Sequence, residues 1–175
     1  YFDMSNKTAL ITGAGGLLGP KHAEALIECG AKVVLTDHHE DRALEKAETL
    51  NRSYGRHSVT AHHMDVTDKL SIQDVFSRYN KISILVNNAA KDPKVKKDGG
   101  LKPDSRFETM SEEYWSEGID AALNGTFLCS QVAANKMLKN EGGVILNISS
   151  DLGVIAPDQR IYRKPGIPDD LQNVK

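Results

Sequence analysis

The string Thr12-Gly13-Ala14-Gly15-Gly16-Leu17-Leu18-Gly19 carries four glycines in close succession. Backbone this bare can approach a bulky anion, because no Cβ stands between the amides and the ligand. Where such a turn opens a helix, unpaired N–H groups and roughly half a positive charge from the helix dipole favour a diphosphate. In that geometry Gly13 makes the turn and Gly15 or Gly16 permits the close approach. The amides of Leu17 and Leu18 donate, and Gly19 allows tight helix–strand packing. Asp37 follows a second apolar run, 24 residues beyond Gly13. A carboxylate there accepts hydrogen bonds from the adenosine ribose hydroxyls and repels the 2′-phosphate of NADP. No Arg or Lys lies inside the glycine turn or directly after Asp37, so the expected cofactor is NAD over NADP. The competing reading makes Asp37 a cap of the following helix.

These residues need elements that hold them. KTALIT (7–12), KVVLT (32–36), SVTAHHM (58–64), ISILV (82–86) and VILNIS (144–149) read as strands. Between them, helical patterns run over 17–29, 40–54, about 68–79 and about 111–139, the last with a possible break near Gly118 or Gly125. In the first helix Leu18, His22, Ala25, Leu26 and Cys29 share one face, and Pro20 falls in its first turn, where a missing N–H does no harm. Residues 91–106 and everything after Ser150 read as irregular, broken by Pro157, Pro165, Gly166 and Pro168. Strands apolar throughout, rather than alternating, indicate a sheet buried on both faces, and intervening helices indicate right-handed crossovers. The expected fold is α/β: a doubly wound parallel sheet of the Rossmann kind, three-layer α/β/α, with strand order 3-2-1-4-5. Another α/β layer fold is the competing reading.

The composition fits one domain over 1–175. Lys plus Arg is 22 and Asp plus Glu is 24, a formal charge of −2, which gives no electrostatic footprint for nucleic acid. No stretch is apolar enough for a membrane span, and no signal-peptide pattern opens the chain. Cys29 and Cys129 each sit in a helical pattern and read as buried thiols of a cytoplasmic protein.

The glycine turn, Asp37, MDVTD (64–68), NNAA (87–90) and ILNISS (145–150) resemble the short-chain dehydrogenase/reductase family, in the same order and at similar spacings. The whole string looks like a subgroup linked to surface-polysaccharide or flagellin-sugar modification. The resemblance implies that Asp65 hydrogen-bonds the adenine amino group, with Val66 packing beside the ring. It implies that Asn88, Ala89 and Ala90 lie beside the adenosine ribose, and that Asn87 ties neighbouring strands together. Ser150 matches the serine that hydrogen-bonds the substrate carbonyl or hydroxyl. A serine simply capping a turn is the competing reading.

Three features depart from the family pattern. Leu17 stands where the commoner TGxxxGxG has its second glycine, and Gly16 lies one place earlier. The family's proton donor is a tyrosine whose pKa, about 10 when free, is lowered by a lysine four residues on. Here Tyr162 is followed four residues later by Gly166, and RKPGIP cannot hold the helical spacing. Ala122 takes the place of a family asparagine, while Asn124 would face another side of the helix. The family also has two further strands. Strand five would otherwise be an unprotected apolar edge, so the chain is expected to be incomplete at its carboxyl end, with 151–175 an irregular segment on the substrate side.

His38, His39, His62 and His63 end adjacent strands, but neighbouring strand residues point oppositely, so solvated side chains are expected rather than a metal site. The lysines at 94, 96, 97 and 102 read as solvated, with an anionic sugar-nucleotide as the competing role. Trp115 and Tyr114 are expected to pack. The expected function is an NAD-dependent oxidoreductase acting on a small-molecule secondary alcohol or ketone, with a sugar as the candidate substrate and a homo-oligomer implied for the full-length family member. The alternative is a dinucleotide-binding protein without catalysis, for sensing or assembly.

Overall fold

Thr8–Ile11 (β1) is flanked in register by Lys32–Asp37 (β2) and Ile84–Asn87 (β4), both parallel to it. Val59–His63 (β3) pairs β2 on one side, and Val144–Asn147 (β5) pairs β4 on the other, giving the order β3-β2-β1-β4-β5. This is a computed structural model, and it describes residues 2–55, 58–91, 106–156, 158–169 and 172. The strand order and the parallel doubly wound arrangement are those expected from the sequence.

The side-chain alternation of β1 sorts the core into two layers. Leu10, in register with Val34 and Leu85, belongs to the layer covered by Lys69–Ser77 (α3) and Gly125–Met137 (α5). Ile11, in register with Leu35 and Val86, belongs to the layer covered by Gly19–Glu28 (α1) and Glu40–Tyr54 (α2). The second layer is lined by Ala14, Ala23, Ala43 and Ala47, so helices approach closely there. Leu10 is fully buried. Leu10→Ala is expected to cost about 2–5 kcal/mol through lost burial and an unfilled cavity. Leu44→Ala, at a position 46% exposed, should change stability by less than about 0.5 kcal/mol. Urea midpoints of the two variants check the pair.

The buried face of α1 differs from the expected one. Gly19 and Ala23 are buried, with Leu26 and Ile27 packed against them, whereas Leu18 is 51% exposed and Ala25 faces solvent. The reason is distance: a Cβ on Gly19 would lie 2.5 Å from Ala14 Cα, so only small residues fit that seam. Cys29 is correspondingly the partly exposed C-cap of α1, not a buried thiol, whereas Cys129 is buried and its thiol is pushed up to about 12 by burial.

The long helical pattern divides into Glu112–Ile119 (α4), a π-helical stretch Asp120–Asn124, and α5. A Cβ on Gly125 would meet Val66 Cγ2 at 2.8 Å, so this turn must sit directly against the β3–α3 connection. Beyond it Gly125, Cys129, Ala133 and Met137 recur every fourth residue and are the buried stripe of α5. Among the described residues after β5, the only helical elements are the short 3-10 turns Asp151–Gly153 and Gln159–Tyr162. Among the described residues β5 pairs only with β4, and Val144 and Leu146 are exposed along it.

The chain divides into two compact units: 1–90 with 120–148, which contains the sheet, and 91–119 with 149–175. In the second unit Arg106 donates to the carbonyls of Asp169 and Gln172, and Lys91 lies over the Tyr114 ring and pairs with Glu117. Trp115 does not pack as expected; it is 59% exposed. The lysines at 94, 96, 97 and 102 lie outside the described residues. No helix among the described residues is long and apolar enough to cross a membrane.

Candidate dinucleotide site

The carboxyl end of β1 is held by a hydrogen-bond clamp. The Thr12 hydroxyl accepts from the amides of Asn88 and Ala89, each at 3.0 Å. The Asn88 side-chain amide donates to the carbonyls of Thr12 and Gly13 at 3.0 and 3.1 Å. Asn88 and Ala89 thus meet the glycine turn directly, while Ala90 is exposed beyond them. Gly13 has φ +61°, and a Cβ on it would lie 2.7 Å from Ala89 Cα. Thr12 was not singled out from the sequence; a threonine closing an apolar strand just before the first glycine was the available signal.

The structure separates the two candidate glycines. Gly15 is small because of the protein itself: a Cβ there would stand 2.6 Å from Arg42 Cβ and 3.0 Å from Asp37 Oδ2. Gly16 faces open space, with only the Gly13 carbonyl, at 3.4 Å, near its Cβ position. The amides of Leu17, Leu18 and Gly19 have no hydrogen-bond partner among the described residues, α1 has no acidic residue in its first turn, and Leu17 is 86% exposed. The turn therefore offers unpaired donors at a helix N-terminus, the requirement for holding an anion.

Asp37 stands beside this turn. Its Oδ2 accepts from the Gly15 amide at 2.9 Å and its Oδ1 from the His39 amide at 2.9 Å. It therefore makes a local turn bond to His39, the N-cap residue of α2, without itself capping that helix, while also reaching back to the glycines. Each carboxylate oxygen keeps a second lone pair for a ligand hydroxyl. The residues present thus fit a dinucleotide: free amides at a helix start, an open glycine, and an adjacent carboxylate.

Asp65 follows β3, whose end is fixed to β2 by the Met64 amide on the Asp37 carbonyl at 3.0 Å. Its Oδ1 accepts from the Thr67 amide and hydroxyl at 2.8 and 2.7 Å, and its Oδ2 lies 3.7 Å from His38 Nδ1. Burial pushes the Asp65 carboxyl up, but the Thr67 hydrogen bonds, with His38 and His63, outweigh it and hold the group below its usual range. Val66 is buried against Gly125. Asn87 joins strands as implied, its amide donating to Asn147 of β5 at 2.8 Å and to Ser130 of α5 at 2.9 Å.

The His38 ring lies 5.2 Å from that of His39 and 6.0 Å from that of His63, whereas His62 turns away to the Tyr79 hydroxyl at 2.7 Å and to Arg78. No group of three metal-ligating residues converges among the described residues. Burial holds the His62 imidazole below its usual range, and the Arg78 guanidinium adds to that, against Glu40 and Asp74. The unfolded chain takes up this proton near pH 6.5, the folded chain only at lower pH. Between those values the unfolded state binds more protons, so stability falls as pH is lowered. Urea midpoints are expected to drop between about pH 7.5 and about pH 5.5, and His62→Gln should shrink that drop. An equal drop in the variant would remove His62 as its source.

In the second unit the Ser150 hydroxyl accepts from the Leu152 amide at 3.2 Å and lies 3.2 Å from Asp151 Oδ1. Ser150 thereby caps the Asp151–Gly153 turn. Tyr162 ends a 3-10 turn, and Arg163 beyond it is extended, so Tyr162 and Gly166 share no helix, as expected. In the sheet-bearing unit Asn124 donates to Asp120 at 2.7 Å and lines a surface groove with Thr67, Phe127 and Leu128, within the π-helical stretch that also holds Ala122.

Residues 7–162 match the family model described as short chain dehydrogenase. The chain is 34% identical over 164 residues to an NAD-dependent glycerol dehydrogenase of Listeria innocua, covering 91% of this chain and 59% of that protein. It is 33% identical over 152 residues to an acetoacetyl-CoA reductase of an Acinetobacter species, covering 85% of this chain and 57% of that protein. Among solved structures, a short-chain type dehydrogenase/reductase from Mycobacterium marinum superposes with a TM-score of 0.77 at 29% identity, over 89% of this chain and 60% of that one. The chain thus spans less than two thirds of the length of these relatives.

Proposed function

Because this chain belongs to the short-chain dehydrogenase family, we propose that it binds a nicotinamide dinucleotide at the carboxyl ends of its strands and serves an oxidoreductase acting on a secondary alcohol or ketone. The observation that carries this reading is the pairing of Asp37 with the Gly15 amide beside the unpartnered amides of Leu17, Leu18 and Gly19. The amides would hold the diphosphate and Asp37 the adenosine ribose. Asp65 would take the adenine amino group, with Val66 shaping the pocket floor. Asn88, Ala89 and Ala90 would border the ribose, Asn88 chiefly by fixing the turn. The bound cofactor would supply or accept the hydride. Ser150 is the residue we assign to the substrate oxygen, with 151–175 on the substrate side.

NAD is the cofactor this reading favours. A unit charge about 4 Å from another at an effective dielectric near 20 feels about 4 kcal/mol, so Asp37 opposes a 2′-phosphate strongly. A polyol or sugar substrate is the finer proposal, including the surface-sugar role suggested by the motif string. The name of the Listeria relative, a glycerol dehydrogenase, is in keeping with a polyol. Exposed Leu123 and Phe127 on the α5 side support assembly of the full-length protein as a homo-oligomer, and a cytoplasmic site completes the reading. The test is kcat/KM of the complete protein with NAD and with NADP over a panel of polyols and sugars. Turnover favouring NAD is expected; preference for NADP would overturn the cofactor assignment.

A second reading, dinucleotide binding without catalysis, is favoured by Ala122 in the helix, at the place of the family asparagine. NAD binding with no turnover across the panel would select it.

A further inference from the structure

Arg42 is five residues beyond Asp37, and no Lys or Arg directly follows that acid. The fold brings one there. Arg42 lies in the first turn of α2, with its amide on the His39 carbonyl at 3.1 Å. Its Cβ stands 2.6 Å from where a Gly15 Cβ would be, and the same point is 3.0 Å from Asp37 Oδ2. Gly15, Asp37 and the base of the Arg42 side chain therefore share one small volume. Arg42 is exposed and makes no ion pair or side-chain hydrogen bond among the described residues. Its cation is uncommitted, on a long flexible stem rooted beside the carboxylate.

We propose that Arg42 is a specificity-determining residue: a ready phosphate ligand at the ribose 2′ position, held out of use by Asp37. This rests on the dinucleotide reading above. A guanidinium there matches a phosphate in charge and fork geometry. With Asp37 ionised, the carboxylate repels the phosphate that Arg42 would bind, and NAD is preferred. With the carboxylate neutralised, Arg42 alone decides the preference. One substitution then turns an NAD site into one accepting NADP, with no cation added.

The experiment is calorimetric titration of NAD and NADP into the complete protein and its Asp37→Asn, Arg42→Ala and doubly substituted forms. Asp37→Asn is expected to raise the NADP-to-NAD affinity ratio by roughly tenfold or more, and adding Arg42→Ala should remove most of that gain. Arg42→Lys should keep part of it, since charge remains without the fork. NADP affinity in Asp37→Asn should also fall more steeply with salt than NAD affinity does. In the native background, where no altered Asp37 needs to fold, Arg42→Glu should widen the NAD preference by about fivefold. Equal ratios in Asp37→Asn and the double variant, or an Arg42→Ala loss shared equally by both dinucleotides, would overturn the assignment. A native protein that binds neither dinucleotide would instead overturn the parent reading, and this one with it.

Discussion

Gly13→Val is expected to abolish dinucleotide binding and to lower stability by about 2–5 kcal/mol. The φ of +61° at Gly13 is open to glycine and hostile to a β-branched residue. The new Cβ would stand 2.7 Å from Ala89 Cα, which is backbone and cannot rotate away. Ala89 is itself fixed, its amide bonded to the Thr12 hydroxyl at 3.0 Å. The clash must therefore move either the end of β1 or the segment after β4, and the amides of the following turn move with it. The effect is at or above the about 0.5–3 kcal/mol of most single changes, and it is a large part of the about 5–15 kcal/mol by which typical domains are stable. Urea unfolding and NAD calorimetry measure both parts. An unchanged midpoint with intact affinity would show that the turn tolerates a side chain.

Asp37→Ala should weaken NAD binding by about 10- to 100-fold, the loss of charge-assisted hydrogen bonds to ribose being about 1.5–3 kcal/mol. The substitution also leaves the Gly15 and His39 amides without their carboxylate acceptor. The His39 amide is near solvent and can be rehydrated, so the fall in stability should be smaller than the fall in affinity. Comparing the unfolding midpoint with the NAD dissociation constant separates the two. If affinity fell no more than stability, the carboxylate would be a turn support and not a ligand group.

The sheet was legible because its residues speak with one voice. Leu10, Ile11, Val33, Val34, Leu35, Leu85 and Val86 are apolar without alternation, and helices of ordinary length separate their strands. The order β3-β2-β1-β4-β5 follows from right-handed crossovers starting at the glycine turn. The face of α1 was not legible from periodicity, since Leu18 and Ala25 suit an apolar stripe as well as Ala23 does. Which of them is buried depends on the 2.5 Å approach of Gly19 to Ala14, a tertiary distance. The π-helical stretch was visible only as an irregularity near Gly125, whose close packing on Val66, some sixty residues away in sequence, is a tertiary contact.

Within the candidate site, the need for glycine at position 13, which takes φ +61°, was legible in the turn that closes β1. The division of labour between Gly15 and Gly16 was not, because it depends on Arg42, a residue of the next helix. Thr12 was hidden for a similar reason: its hydroxyl serves amides 76 and 77 residues away. Ser150 remained ambiguous in the sequence between ligand and cap, and its hydroxyl makes the capping bond to Leu152.

The most direct measurement is a crystal structure of the complete protein with NAD. The diphosphate is expected within hydrogen-bond distance, about 2.7–3.2 Å, of the amides of Leu17 to Gly19, and the adenosine ribose hydroxyls on the Asp37 carboxylate. A nucleotide seated elsewhere, or one whose ribose turns away from Asp37, would contradict it.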